Sequence, residues 1–242
     1  MKKLALVVLL VVLPLRVWAA EGDKSCGEVE CDSVKIDLSD KPSLQRGARI
    51  FVNYCLSCHS AGYMRYNRMG RDLGISDELV EENLLFAADK VGDLMKAVMR
   101  KEDAKIWFGT APPDLTLVTR WRDPRWVYTY LRGFYRDHKS PSGWNNVVFR
   151  NVAMPNALYE WQGEQQAVIE NGEFVRFELI KPGSKTPKQF DQDMRDLTNF
   201  LVYLGEPAKL VRYHIGIYVL IFLAVFSFVA YLLKKEYWKD VH

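Results

Sequence analysis

Cys55-Leu56-Ser57-Cys58-His59 is the stretch of this sequence best equipped for chemistry. Two thiols three residues apart can share one helical turn, where both reach the vinyl groups of a single porphyrin and form thioethers. The adjacent His59 then lies under the ring and offers an imidazole nitrogen to the iron. The pattern predicts covalent attachment of one haem c. Two other uses of such a pair compete. A thioredoxin-like dithiol sits between a strand and a helix, whereas the preceding Ser43–Tyr54 has helical character, with Leu44, Phe51 and Tyr54 available to one face. A zinc site needs a second pair of ligands, and His138, His214 and His242 offer no matching spacing.

An iron held by His59 leaves an opposite face, and a ligand for it must come from a distant segment. Met64 and Met69 follow the motif too closely and have to double back around the ring edge. Met95 and Met99 stand four apart on an apolar helical patch, where core packing is their expected role. Met194 falls in the apolar stripe of a later helix. His214 borders an apolar stretch, and His138 lies in a polar, basic loop. Met154 is what elimination favours, 95 residues beyond His59 in the loop-like Asn-Val-Ala-Met-Pro-Asn, with His138 the next residue to consider.

The elements that position these groups show in the periodicity. Ser43 is expected to cap a helix running through Gln45, Gly47 and Phe51 to the motif. Gly47 is costly in a helix interior, which points to close approach by another element. Gln192–Leu204 supplies a partner: Met194, Leu197, Leu201 and Leu204 recur at spacings of three and four before Gly205-Glu206-Pro207 ends the helix. Asp77–Met99 reads as two helical patches with an acidic run, which is either a solvated face or a docking face for a basic acceptor. Trp126–Tyr135 is helical and aromatic-rich. Val168–Leu179 carries Asn171-Gly172 between alternating β-formers, a hairpin signal. The fold class expected is mostly α: a cytochrome c-like haem domain with long loops and a small β-hairpin, plus one C-terminal transmembrane helix.

Residues 1–19 combine Lys2 and Lys3, an apolar core and Val17-Trp18-Ala19, the layout of a cleaved export signal. Ile215–Leu233 is uncharged for nineteen residues, about 28 Å as a helix and close to the hydrocarbon thickness of a bilayer. Tyrosines and Trp238 flank it, and Lys234, Lys235 and Lys239 follow, favouring a cytoplasmic C-terminus. The expected division is a signal at 1–19, an exported haem domain at 20–213, a membrane span at 214–233 and a tail at 234–242. Setting aside six basic and two acidic residues outside the exported domain leaves 27 basic against 28 acidic. So near-neutral a surface gives nucleic acid no purchase. Cys26 and Cys31 flank a loop short enough to close as a local disulfide, which an oxidising compartment favours; two thiols in a terminal segment are the alternative.

With these features in place the chain resembles the cytochrome c1 family of bacterial type. The matching stretches are Ser43-Leu44-Gln45-Arg46-Gly47, Asn53-Tyr54-Cys55-Leu56-Ser57-Cys58-His59-Ser60, Pro112-Pro113-Asp114-Leu115, Met154-Pro155, Asn199-Phe200-Leu201 and Tyr203-Leu204-Gly205-Glu206-Pro207. They occur in family order, followed by a single C-terminal anchor. The resemblance implies haem c held by Cys55 and Cys58, with His59 and Met154 as axial ligands. Pro112 and Pro113 would line the haem, one carbonyl orienting His59, and Arg120 would lie near a propionate. It also implies an electron-carrier subunit of a quinol–cytochrome c oxidoreductase, with no bond chemistry of its own. Its partners would be cytochrome b, a Rieske iron–sulfur donor, a soluble or tethered cytochrome c as acceptor, and membrane lipid. The haem domain would face the periplasm from the bacterial inner membrane. A stand-alone tethered shuttle is the rival reading, which a long linker before the anchor would favour. Only Ala208–His214 is available for one.

Overall fold

The computed structural model describes residues 26–240 apart from Glu28. The segment expected as an export signal, residues 1–19, lies outside the described residues.

Helix α1 (Lys41–Ile50) starts at Asp40, whose carboxylate accepts the backbone N–H of Ser43 at 3.0 Å, with Pro42 in the first turn. The expected cap, Ser43, is inside the helix. Its hydroxyl is buried and donates to Asp196 at 2.7 Å. α1 runs on without a break into a π-helical turn, Phe51–Cys55.

The partner of α1 is α8 (Pro187–Gly205), 19 residues long, which opens with a reciprocal Thr186–Gln189 capping box. The two helices meet at Gly47. Leu44, Ala48 and Phe51 of the first segment pack with Met194, Leu197, Phe200 and Leu204 of the second, all of them buried. The rings of Phe51 and Phe200 are 5.7 Å apart. Each fully buried Leu or Phe contributes about 2 kcal/mol of transfer free energy, so this crossing is the stable centre of the domain. Polar ties lock it. The fully buried Asp196 carboxylate accepts from Ser43, from Arg46 Nε at 2.6 Å and from Gln192 at 2.8 Å, and the Asn199 amide donates to the Asp37 carbonyl at 2.8 Å.

Shorter elements lie between these helices. Strand β1 (Ala61–Arg65) leads into α2 (Tyr66–Leu73), and α3 (Asp77–Asn83) follows a left-handed Gly74. The helical pattern expected to reach Met99 stops at Asn83. Met95 instead lies in β2 (Leu94–Met95), buried and paired antiparallel opposite Ala61. Burial against the strand after the Cys-His motif overrides the local helical spacing, as tertiary context commonly does. Glu78, Glu81 and Glu82 are exposed.

Then come α4 (Lys101–Phe108), α5 (Val118–Trp121) and α6 (Pro124–Arg132). α6 ends before the expected Tyr135, because β3 (Phe134–Arg136) pairs with β4 (Trp144–Asn146). After α7 (Tyr159–Gln162), β5 (Gly163–Glu170) and β6 (Glu173–Pro182) form the expected hairpin, longer at both ends than its signal. Asn171 and Gly172 both hold positive φ, 52° and 89°, as a tight two-residue turn requires.

Cys26 and Cys31 form a disulfide, and Cys26 is buried against Tyr135, Val147 and Val148. Three residues after α8, α9 (Lys209–Tyr237) begins. It is the one described helix long and apolar enough to cross a membrane, with a mean hydropathy of 2.5 over an 18-residue stretch and no buried residue.

Candidate haem-binding site

The π-helical turn sets the geometry of the motif. Leu56 N–H donates to the Phe51 carbonyl at 2.9 Å. The chain then tightens, with Cys58 and His59 N–H both donating to the Cys55 carbonyl, at 3.0 and 2.7 Å. Leu56 is buried in the core and anchors the turn, while Cys55 and Cys58 are free thiols. Burial pushes the Cys55 thiol up to about 12, with Cys58 adding to the shift. Such a thiol is not the low-pKa nucleophile of a redox dithiol. Among the described residues no three His, Cys, Asp or Glu side chains gather as a metal cluster.

Two segments clamp the chain after the motif. The Ser57 carbonyl accepts from Met99 N–H at 3.1 Å and the Ser60 hydroxyl from Ala97 N–H at 2.9 Å. On the other side the Ser60 carbonyl accepts from Leu115 N–H at 2.8 Å, and the Asp114 carboxylate joins Gly62 N–H to Thr116 N–H, both at 2.8 Å. These ties, and the restricted backbone of Pro112-Pro113, fix the Pro113 carbonyl. His59 Nδ1–H donates to it at 2.8 Å. A carbonyl only accepts, so the proton is on Nδ1 and Nε2 keeps its lone pair for a metal. Burial lowers the imidazole's proton affinity, and the Pro113 carbonyl and Asp114 act in the opposite direction. A cleft of about 590 Å³ opens beside this pair, lined by Ser60, Lys96, Pro112, Pro113 and Asp114 among others.

Met154 is on a separate segment. It packs against a small buried cluster of Phe134, Trp144 and Val152, and its sulfur accepts a hydrogen bond from Tyr130 Oη at 3.4 Å. Burial raises the Tyr130 phenol far above its usual range, so it stays a donor. Asparagines brace the loop on both sides. Asn145 Oδ1 accepts from Asn151 N–H at 2.8 Å, and its amide donates to Asp137 at 2.8 Å, holding that carboxyl below the usual range. Asn156 Oδ1 accepts from Leu158 N–H at 3.0 Å, while its amide donates to Gln162 at 2.7 Å. Asn151 itself takes a positive φ of 58°.

His59, Pro112 and Pro113 therefore come together, and Met154 is presented from the loop between β4 and α7. Arg120 is exposed on α5, its stem lying over Gly205 at the end of α8. Sequence reasoning passed over Tyr130, and it quoted Ser60 and Asp114 only within matched stretches, with no role of their own. Tyr130 sits four residues after Trp126, a spacing that signals stacking but not which atom the hydroxyl meets. The residues fit a covalent haem: two thiols on one turn, an imidazole with an available lone pair, and a partly buried thioether on a distant braced loop.

Fold and site define a c-type cytochrome domain followed, among the described residues, by one helix long and apolar enough to cross a membrane. The Cytochrome C1 family model matches residues 34–241. A cytochrome c1 of Allochromatium vinosum is 51% identical, the match covering 100% of both chains. A protein of Nitrosomonas europaea named ammonia monooxygenase gamma subunit is 48% identical over 89% of this chain and 90% of its own. A cytochrome c1 of Rhodospirillum rubrum is 27% identical over 84% and 83%. The chain belongs to the cytochrome c1 family.

Proposed function

We propose that this chain is the haem c subunit of a quinol–cytochrome c oxidoreductase, taking electrons from a Rieske iron–sulfur subunit and passing them to a soluble or tethered cytochrome c. Cys55 and Cys58 anchor the haem covalently, and His59 and Met154 ligate its iron. Pro112 and Pro113 line it, and Arg120 meets a propionate. Bound haem supplies a one-electron ferric–ferrous couple, raised in potential by histidine–methionine ligation. The protein's own part is to hold and tune. The Pro113 carbonyl fixes the ring and tautomer of His59 and strengthens it as a donor. The α1–α8 crossing keeps the attachment turn rigid, and α9 tethers the domain beside cytochrome b and lipid. The haem domain lies in the periplasm and the basic tail in the cytoplasm.

The observation that carries this reading is the 2.8 Å hydrogen bond from His59 Nδ1–H to Pro113, which leaves Nε2 available next to two free thiols on one turn. The three-residue link between α8 and α9 supports a fixed subunit over a swinging shuttle. The test is purification of the complex in mild detergent, with haem staining of a denaturing gel. Stain on this chain, lost in the Cys55→Ala, Cys58→Ala variant, and co-purification with a b-type haem protein and an iron–sulfur protein are expected. Undiminished stain in the double variant would end the attachment reading, and isolation as a lone cytochrome would favour the shuttle.

The 48% identity to the Nitrosomonas gamma subunit carries a second reading, a subunit of a monooxygenase. Co-purification with ammonia-oxidising activity in place of a b-type haem would decide for it.

A further inference from the structure

Tyr130 is the residue aimed at the Met154 sulfur. Its ring is immobilised on two sides, stacked on Trp126 at 5.0 Å with the planes within 10°, and set edge-on to Phe134 at 5.1 Å and 71°. Its backbone is held as well, the carbonyl accepting from the Asn146 amide at 2.8 Å. With ring and backbone pinned, the hydroxyl has little choice of direction, and its acceptor is Met154 Sδ at 3.4 Å. A buried phenol O–H left without an acceptor costs about 1–3 kcal/mol, so the contact holds the pair together even though sulfur is a weak acceptor.

We propose that Tyr130 is a positioning and tuning residue for the Met154 thioether, its hydroxyl fixing the side chain and withdrawing electron density from the sulfur; this rests on the reading of Met154 as the sixth ligand. A thioether sulfur has two lone pairs, so one can accept the hydrogen bond while the other faces iron. A sulfur that shares density with a donor is the poorer ligand. Ferric iron depends more on that donation than ferrous iron does. The hydrogen bond therefore raises the reduction potential and makes the ferric iron–sulfur bond easier to displace.

The test uses the full chain in its native membrane complex. Tyr130→Phe removes one oxygen and keeps both ring contacts. It is expected to retain covalent haem and the long-wavelength sulfur-to-iron absorption band, to lower the reduction potential, and to require severalfold more imidazole to displace the sulfur from ferric haem. Tyr130→Leu, which also removes the ring, separates packing from hydrogen bonding. If Tyr130→Phe matches the wild type in potential and imidazole titration, and only Tyr130→Leu differs, the hydroxyl has no such role and the proposal is overturned. Met154→Leu is measured alongside. An unchanged band and potential in that variant would overturn the ligand assignment itself, whatever Tyr130→Phe shows.

Discussion

A Cβ placed on Gly47 would lie 2.2 Å from the carbonyl oxygen of Asp196 and 2.6 Å from Phe200 Cβ. The obstructing atoms are backbone and a helix-borne Cβ, so no rotamer change relieves them. Gly47→Ala gains about 1 kcal/mol of helix propensity, but overpacking costs about 1–3 kcal/mol and can cost more where backbone must move. The steric term wins. Gly47→Ala is expected to destabilise the haem domain by about 2 kcal/mol net, read as a lower denaturant midpoint with unchanged slope. A midpoint at or above wild type would show that α1 and α8 can separate freely.

This crossing was legible in advance because its signals are local and mutually consistent. Gly47 interrupts an otherwise good helix, and Met194, Leu197, Leu201 and Leu204 share one face of another. The hairpin was legible through Asn171-Gly172, a pair that tolerates positive φ. Met95 was not. Its helical spacing to Met99 is real, yet its partner is Ala61, 34 residues earlier, and nothing in the local pattern announces that pairing. Ser43 misled for a related reason. It is a good cap by type, but Asp40 takes the cap, and the Ser43 hydroxyl serves Asp196, 153 residues away. At the site, Cys55, Cys58 and His59 were conspicuous through spacing. Tyr130 was hidden, because an aromatic at helical spacing reads as core until the atom opposite its hydroxyl is known.

Asp196 is fully buried, and its Arg46 partner keeps a side chain that is 45% exposed. The arginine remains hydrated while the carboxylate depends entirely on Ser43, Gln192 and Arg46. Truncation at the buried end removes the acceptor of Ser43 and Gln192 in the α1–α8 interface and leaves Arg46 to water. Arg46→Ala leaves the carboxylate buried without a counter-charge and is expected to lose about 3–5 kcal/mol. Asp196→Ala is expected to lose clearly less, because it strands no buried charge and the buried Ser43 hydroxyl it leaves without an acceptor costs about 1–3 kcal/mol. Comparable losses for the two variants, measured by denaturant unfolding of the haem domain, would contradict this asymmetry.

No residue of α9 is buried, and the domain's last helix closes at Gly205. A chain ended after Gly205 retains every element of the α1–α8 core and both clamps around His59. It is expected to be soluble and to carry covalent haem when exported and matured. Fractionation after a carbonate wash checks the first point and haem staining the second. A truncated chain that stays with the membrane would show that another apolar surface, such as the exposed Ile106 and Trp107 on α4, holds it there.

Met154 is braced by polar ties that do not involve its own side chain. Asn145 and Asn151 hold the loop on one side, and Asn156 with Gln162 on the other. Substitution at the sulfur should therefore leave the loop in place and change only what it presents. Met154→Leu is nearly volume-conserving, and such swaps usually cost less than about 1.5 kcal/mol. The Tyr130 hydroxyl left without its acceptor adds about 1–3 kcal/mol, and the fold and the Cys55 and Cys58 thioethers are expected to survive. The iron should then lose its sulfur ligand. The reduction potential falls, because thioether ligation favours ferrous iron, and the long-wavelength sulfur-to-iron band disappears. Redox titration and absorption spectra of the ferric protein read both effects, and staining of a denaturing gel shows that haem is still attached. Met154→His separates ligand identity from loop integrity: a low-spin spectrum without the sulfur band, at a still lower potential, is expected. A Met154→Leu protein with wild-type potential and an intact band would assign the sixth ligand elsewhere, and His138 would be the next residue to substitute.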